Sequence, residues 1–179
     1  MPDLVATHRQ LLARFRKSMN LVGPGDLQEH FDDSDRALER LQPTGHWVDL
    51  GSGAGFPGIP LAAKHPELRV DLVDSRQKRC TFLQMVLEEA EVPPERCQVY
   101  CQRVEDLAGP YDGVVSRAFA PPPDALAHAE RLLRPGGLCV LFLQAGAAVP
   151  QPDGWEVVDT VPYVVGSKAR KAVTLRWQP

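Results

Sequence analysis

The residues best suited to chemistry begin in one run, Trp47 to Pro60, which reads Trp-Val-Asp-Leu-Gly-Ser-Gly-Ala-Gly-Phe-Pro-Gly-Ile-Pro. A short apolar segment passes through closely spaced glycines into a helical pattern, the signature of a strand, a tight turn and a helix. Gly51, Gly53 and Gly55 allow positive φ and let a flat ligand approach the main chain with no Cβ in the way. The residues from Gly53 to Gly58 also fit the dinucleotide fingerprint G-x-G-x-x-G, which works by aiming free helix N–H groups at a pyrophosphate. Pro57 and Pro60 each remove a donor from that first turn. A ligand with an adenosine and an amino-acid tail but no phosphate, S-adenosyl-L-methionine, needs no such clamp, and Asp49 then serves as partner for its ammonium group. The plain alternative is a tight turn with no ligand.

Further candidates stand where strands are expected to end. Asp74, 23 residues after Gly51, is placed to accept both ribose hydroxyls; its plain alternative is a charge at a helix N-terminus. Val104 is expected against the adenine, with a backbone group or Glu105 reading the adenine edge. Arg117 follows another strand, where donor and acceptor must meet. The five histidines are scattered, with no nucleophile and base side by side, so an acid–base relay is not expected. Methyl transfer from a sulfonium to a ring nitrogen with a free lone pair needs positioning and no base.

The elements that must position these residues are legible as periodicity. Residues 3–19 carry Leu4, Leu11, Leu12, Phe15 and Met19 on one side of a helix, with Asp3 as N-cap. A second helix is expected from about 26 to 41, and both should lie over or beside the glycine turn. Asp32, Asp33 and Asp35 within it read as solvated charge, since acids this close on a helix point in different directions. From 46 onward strands and helices alternate. Strands are expected at His46 to Leu50, Leu68 to Val73, Gln98 to Cys101, Tyr111 to Ser116 and Leu138 to Leu143. Helices are expected from about 57 to 64, after Ser75 as cap, and from Pro122 to Arg134, before a turn at Pro135 to Gly137. Trp155 to Val165 and Ala172 to Trp177 should form a hairpin at the sheet edge. The implied fold is α/β and Rossmann-like: a mostly parallel seven-stranded sheet with helices on both faces and two N-terminal flanking helices. One domain is expected over 1–179, a helical extension at 1–43 followed by a core at 44–179.

Composition narrows the class. The chain has 179 residues, 44% of them apolar, a net charge of −3 and a pI near 5.9, so no global field draws it to nucleic acid. The run from 166 to 179 is locally basic, and Lys168, Arg170 and Lys171 are the candidates for phosphate contacts, against the plain reading of a solvated tail. Cysteines 80, 97, 101 and 139 read as buried reduced thiols, and no metal site is expected. No apolar window is long enough to span a bilayer, and the start lacks a secretory signal's apolar core, so a cytoplasmic protein without membrane contact is expected.

The chain resembles the bacterial small-subunit (16S) ribosomal RNA guanine-N7 methyltransferases, once called glucose-inhibited division protein B. The matching pieces are Asn20-Leu21, His30-x-x-Asp33-Ser34, Asp49 through Pro60, Leu72 to Ser75 with Lys78-Arg79 and Phe82-Leu83, Arg103-Val-Glu105, and Tyr111 through Ala120. The blocks Gly-Phe-Pro-Gly-Ile-Pro and Ser-Arg-Ala-Phe-Ala are specific. The resemblance implies a class I methyltransferase using S-adenosyl-L-methionine, with 16S ribosomal RNA or the small subunit as partner; a monomer is expected, although the sequence itself does not give the oligomeric state. It carries the family's cofactor residues onto Gly51, Phe56, the Val104–Glu105 pair and Arg117. It departs where the family has Trp-Asn, here Phe15-Arg16, and where a Lys-Gly follows the fifth strand, here around Gln144 to Gly146. Another RNA or a small molecule as acceptor, or a non-catalytic module docking on ribosomal RNA, remain as alternatives.

Overall fold

A computed structural model describes residues 2–179. Two helices, α1 (Leu4–Phe15) and α2 (Gln28–Ala37), precede β1 (His46–Leu50), α3 (Gly58–Lys64), β2 (Arg69–Asp74), α4 (Gln77–Glu89) and β3 (Cys97–Cys101). A 3-10 turn at Val104–Asp106 leads to β4 (Tyr111–Arg117), α5 (Pro122–Leu132), β5 (Leu133–Gln144), β6 (Trp155–Val165) and β7 (Lys168–Trp177). The seven strands form one sheet in the order β3-β2-β1-β4-β5-β7-β6. The first five run parallel, while β7 lies antiparallel to both β5 and β6. From β1 the chain steps outward to β2 and β3 and then returns so that β4 pairs on the other side of β1. The crevice beyond the carboxyl ends of β1 and β4 is therefore the switch point at which such sheets bind ligands.

The strands bury both faces because alternate side chains serve two cores. Trp47, Leu72, Val115 and Phe142 pack with residues of α1, α2, α3 and α4 on one face. Val48, Leu50, Val114, Leu141 and Leu143 pack with Ala125, Leu126, Ala129 and Leu132 of α5 on the other. Asp3 Oδ1 accepts the Ala6 N–H at 2.9 Å and caps α1. Through Leu11, Leu12, Phe31 and Leu38 the two N-terminal helices join the first core.

Several boundaries differ from expectation. The first helix stops at Phe15 rather than 19, because the chain tightens into turns and Asn20 takes a positive φ of 52°. The second spans Gln28–Ala37 rather than 26–41, Asp26 being used outside it to accept the Gln28 N–H at 2.9 Å. Ser75 does not cap α4; Asp74 Oδ1 reaches the Arg76 N–H first, at 2.9 Å. The Pro135–Gly137 segment does not leave the sheet. It bulges from β5, whose pairing with β4 slips between Tyr111 and Gly113. Strand β7 starts at Lys168 rather than Ala172, so the basic run is an inner strand and not a tail.

Two of the four cysteines are not reduced thiols: α4 runs back beside β3 and brings Cys80 to Cys101, joined in a disulfide with Cα atoms 5.6 Å apart. Cys97 and Cys139 are free and buried, as expected.

Candidate functional site

One side of the crevice is made of backbone. After β1 the chain turns through Gly51, Gly53 and Gly55, with φ of +68°, +56° and +95°. A Cβ on Gly51 would lie 2.6 Å from Cδ2 of Phe119, so the position excludes a side chain by space as well as by conformation. Ser52 stitches the turn to β2: its N–H donates to the Val73 carbonyl at 2.9 Å and its Oγ accepts the Val73 N–H at 3.0 Å. Asp74, at the carboxyl end of β2, accepts the Gly53 N–H with Oδ2 at 3.0 Å, and Arg79 Nη1 stands 3.3 Å from the same oxygen. Each carboxylate oxygen has two lone-pair sites, so Asp74 keeps acceptor capacity for a ligand hydroxyl.

The start of α3 decides what this turn can hold. The Gly58 N–H donates to Asp49 Oδ2 at 3.0 Å, Ile59 to the Gly55 carbonyl at 2.9 Å and Leu61 to the Pro57 carbonyl at 2.9 Å, while Pro57 and Pro60 have no N–H. Every donor of that turn is consumed, one by an acid, which is the opposite of a phosphate clamp. Asp49 is fully buried. Its Oδ1 has no partner, and burial pushes its carboxyl up to about 7. A ligand ammonium would supply the missing donor.

Beside the turn, Ser75, Gln102, Arg103, Val104, Glu105 and Phe119 line a cavity of about 460 Å³, within the range of small-molecule sites. Val104 is buried and its carbonyl accepts Arg131 Nη2 at 2.5 Å, whereas Glu105 is exposed and held below the usual carboxylate range by its own backbone N–H and by Arg103. A flat base between Val104 and Phe119, a ribose beside Asp74 and an amino-acid tail along the glycine turn fit these groups. A pyrophosphate does not.

The other side of the crevice is made of charged side chains. Asp33, expected to be solvated, is buried at 4% exposure because β6 packs over α2 and Arg170 of β7 reaches across to it. Its Oδ2 accepts Arg117 Nη1 at 3.0 Å, its Oδ1 accepts the Tyr163 hydroxyl at 2.9 Å, and Arg170 Nε stands 3.6 Å from Oδ1. The Arg117 guanidinium also lies over the Phe56 ring, 4.9 Å from its centroid, and His30 stacks on the same ring at 5.4 Å. Burial, then the nearby Arg117, lower the His30 pKa, so its ring is neutral near pH 7. Glu29, His30, Asp33, Arg117, Ala118, Val165, Lys168 and Arg170 enclose a cavity of about 230 Å³. His8 ties α1 to the glycine turn: burial lowers its pKa to about 4, so Nε2 must carry the proton it donates to the Ala54 carbonyl at 2.7 Å.

The structure thus gathers Asp49, Gly51, Gly53, Gly55, Phe56 and Asp74 around one turn, and Val104 and Glu105 on a neighbouring cavity. Arg117, Lys168 and Arg170 share the second cavity. Lys171 does not join them, since it points the other way from β7 and donates to the Ala147 carbonyl at 2.6 Å. Lys168 is paired with Glu29 at 3.6 Å. Sequence reasoning missed Asp33, Tyr163, His30, Arg79 and Phe119 as site residues. Their only signal was membership of matched blocks, and Tyr163 had none.

The family model described as rRNA small subunit methyltransferase G matches residues 3–148. A ribosomal RNA small subunit methyltransferase G from Methylobacterium radiotolerans is 39% identical over 172 residues, which cover 89% of this chain and 80% of that one. The namesake from Paracoccus denitrificans is 34% identical over 146 residues, 78% and 75% of the two chains. The one from Novosphingobium aromaticivorans is 40% identical over 145 residues, 76% of this chain and 62% of its own. Among solved structures, magnesium protoporphyrin IX methyltransferase from Synechocystis PCC 6803 with bound S-adenosylhomocysteine superposes with a TM-score of 0.67 at 16% identity, covering 98% of this chain and 100% of that one. At that identity the likeness is one of fold alone, a class I methyltransferase fold. A family model over most of the chain and relatives of 34–40% identity over three quarters or more of it leave one conclusion: this chain belongs to the rRNA small subunit methyltransferase G family.

Proposed function

We propose that this chain methylates guanine N7 in small-subunit (16S) ribosomal RNA, using S-adenosyl-L-methionine. Family membership carries the reaction class, an adenosylmethionine-dependent methyl transfer. The observation that carries the donor is the consumed set of N–H groups at the start of α3, with the Asp49 carboxylate in the place a phosphate would need. When bound, adenosylmethionine supplies an electrophilic methyl on a sulfonium. The chain's own residues do the rest by binding and orienting. Asp74 and the glycine turn take the ribose and the amino-acid tail, Val104 with Phe119 the base, and Asp49 Oδ1 the ammonium. Phe56, His30 and Arg117 form the wall that meets the acceptor. N7 attacks with its own lone pair, so no residue has to remove a proton, in keeping with the absence of a histidine paired with a nucleophile. Lys168 and Arg170 stand at the mouth of the acceptor cavity, where an RNA phosphate fits. We read residues 1–179 as one methyltransferase domain with a helical extension at 1–43, acting as a monomer in the cytoplasm. Among the described residues no helix is long and apolar enough to cross a membrane.

The test is to incubate the protein with small subunits from a strain lacking 7-methylguanosine, add adenosylmethionine, and digest the RNA for nucleoside mass spectrometry. Appearance of 7-methylguanosine is the expected result. A different methylated nucleoside would assign another acceptor, and no product with intact adenosylhomocysteine binding would make the chain a docking module.

A further inference from the structure

We infer that Asp33 is a positioning residue of the acceptor site: it fixes Arg117 against Phe56 and offsets the charge of Arg117 and Arg170 where the methylated base becomes a cation. This rests on the N7 reading above, because a base methylated at N7 gains the positive charge that the sulfonium loses.

Without Asp33 the geometry would oppose that transfer. Two guanidiniums flank the cavity, and one of them lies over the aromatic ring that follows the glycine turn. A cation forming in the same cavity would be repelled by both, and little water separates them, since the Arg117 side chain is only 15% exposed. The single carboxylate between them lowers the local charge from two to one. It does so from a fixed place, since a hydrogen bond holds each of its oxygens, Arg117 at 3.0 Å and Tyr163 at 2.9 Å, and Arg170 Nε adds an ion-pair contact at 3.6 Å. The other ionisable groups of the cavity add little net charge, because Glu29 offsets Lys168 at 3.6 Å and His30 is neutral. Only Nη1 of Arg117 is committed to Asp33, which leaves the rest of the planar fork for an RNA phosphate or the guanine O6.

Three proteins test this: wild type, Asp33→Asn, and Asp33→Asn combined with Arg170→Gln. Turnover is measured at saturating adenosylmethionine on undermethylated subunits, with active sites counted by adenosylhomocysteine binding stoichiometry. Asp33→Asn should lower kcat about tenfold to a hundredfold, the effect of one uncompensated charge a few ångströms from the forming cation. Its KM for the RNA should not rise, because the freed guanidiniums still attract phosphate, and adenosylhomocysteine affinity should stay within about threefold. The double variant restores the net charge and should regain kcat relative to Asp33→Asn, although it loses a second native side chain. A merely structural carboxylate predicts the reverse, with the double variant the worst of the three. Asp33→Asn within about twofold of wild type in kcat, or a double variant no better than the single, overturns the inference while 7-methylguanosine remains the wild-type product. A wild-type product other than 7-methylguanosine overturns the N7 reading and the charge argument together.

Discussion

The two sides of the crevice are built by different means. The donor side comes from the stretch between β1 and α4, and its defining contacts are backbone groups held by short-range carboxylates: Asp49 to Gly58, nine residues apart, and Asp74 to Gly53, 21 apart. The acceptor side is an ion cluster whose members meet only after folding, Asp33 reaching Arg117 across 84 residues and Tyr163 across 130. A backbone-built site allows few alternatives, and at Gly51 and Gly55 it leaves no room for a Cβ. A cluster of side chains can be re-tuned by single substitutions, so the donor should be the fixed part of the reaction and the acceptor the adjustable one.

The sharpest way to break this contrast is at Gly51. Gly51→Val would force a β-branched residue to a φ of +68° and drive its Cβ into Phe119. Adenosylhomocysteine affinity measured by calorimetry should fall by more than about a hundredfold, since strain of a few kcal/mol falls on the binding loop itself. Near-native affinity would mean that the turn is not the cradle.

On the acceptor side, Arg117→Lys keeps the charge but loses the planar fork that both bonds Asp33 and covers Phe56. Activity should drop about tenfold to a hundredfold, as expected for a misplaced orienting group, with adenosylhomocysteine affinity nearly unchanged. The pH profile near neutrality should keep its shape because no proton transfer is removed. A new ionisation in the lysine variant would refute pure positioning. Asp74→Ala should do the converse, lowering adenosylhomocysteine affinity by about tenfold or more through one lost charge-assisted contact and the loosened Gly53 N–H, with little change in RNA affinity.

The same contrast explains what the sequence made legible. Strands β1 and β6 begin and end where alternation and flanking turns place them, and the glycine turn, Asp74 and the Val104 loop were readable because strand, turn and helix are adjacent in sequence. Ser75 reads as a cap by residue type alone, yet α4 starts after Arg76 with no side-chain cap, and the nearby Arg76 N–H goes to Asp74 Oδ1 instead, which only the geometry at the end of β2 decides. Asp33 read as solvent-facing among three close acids, since nothing local says that β6 will cover that face of α2. The Cys80–Cys101 pair and the different fates of Arg170 and Lys171 are likewise products of register. In β7 Arg170 faces the cavity and Lys171 the opposite side, which a basic run cannot reveal until its period-two pleat is known.

A smaller effect follows for RNA binding. Lys168→Ala and Arg170→Ala should each reduce the slope of log affinity against log salt by about one if each meets a phosphate. Lys171→Ala should leave it unchanged, because that ammonium already donates to the Ala147 carbonyl. An equal response from all three would return the run to a diffuse basic face.

The smallest signal, a fraction of a proton, tests the role of Asp49. Burial raises its carboxyl from 3.8 to about 7, and Oδ1 has no donor in the free protein. The folded chain therefore holds a proton that the unfolded chain has released between those two values. Stability from this residue is complete below the unfolded value and declines as pH rises through the folded one. Asp49→Asn should accordingly raise Tm at pH 8 relative to wild type, with a smaller benefit at pH 5 that vanishes below the unfolded value. If the ligand's ammonium meets Oδ1, the new charge partner lowers the carboxyl pKa again. Adenosylhomocysteine binding near pH 6 should then release somewhat less than about one proton, seen as a dependence of calorimetric enthalpy on the buffer's ionisation enthalpy, fading by pH 8 and absent in Asp49→Asn. Affinity should strengthen between pH 5 and 7 for the same reason. Proton-neutral binding at pH 6 would leave Asp49 as the cap of α3 alone, and the ammonium would have to be held by the backbone of the glycine turn.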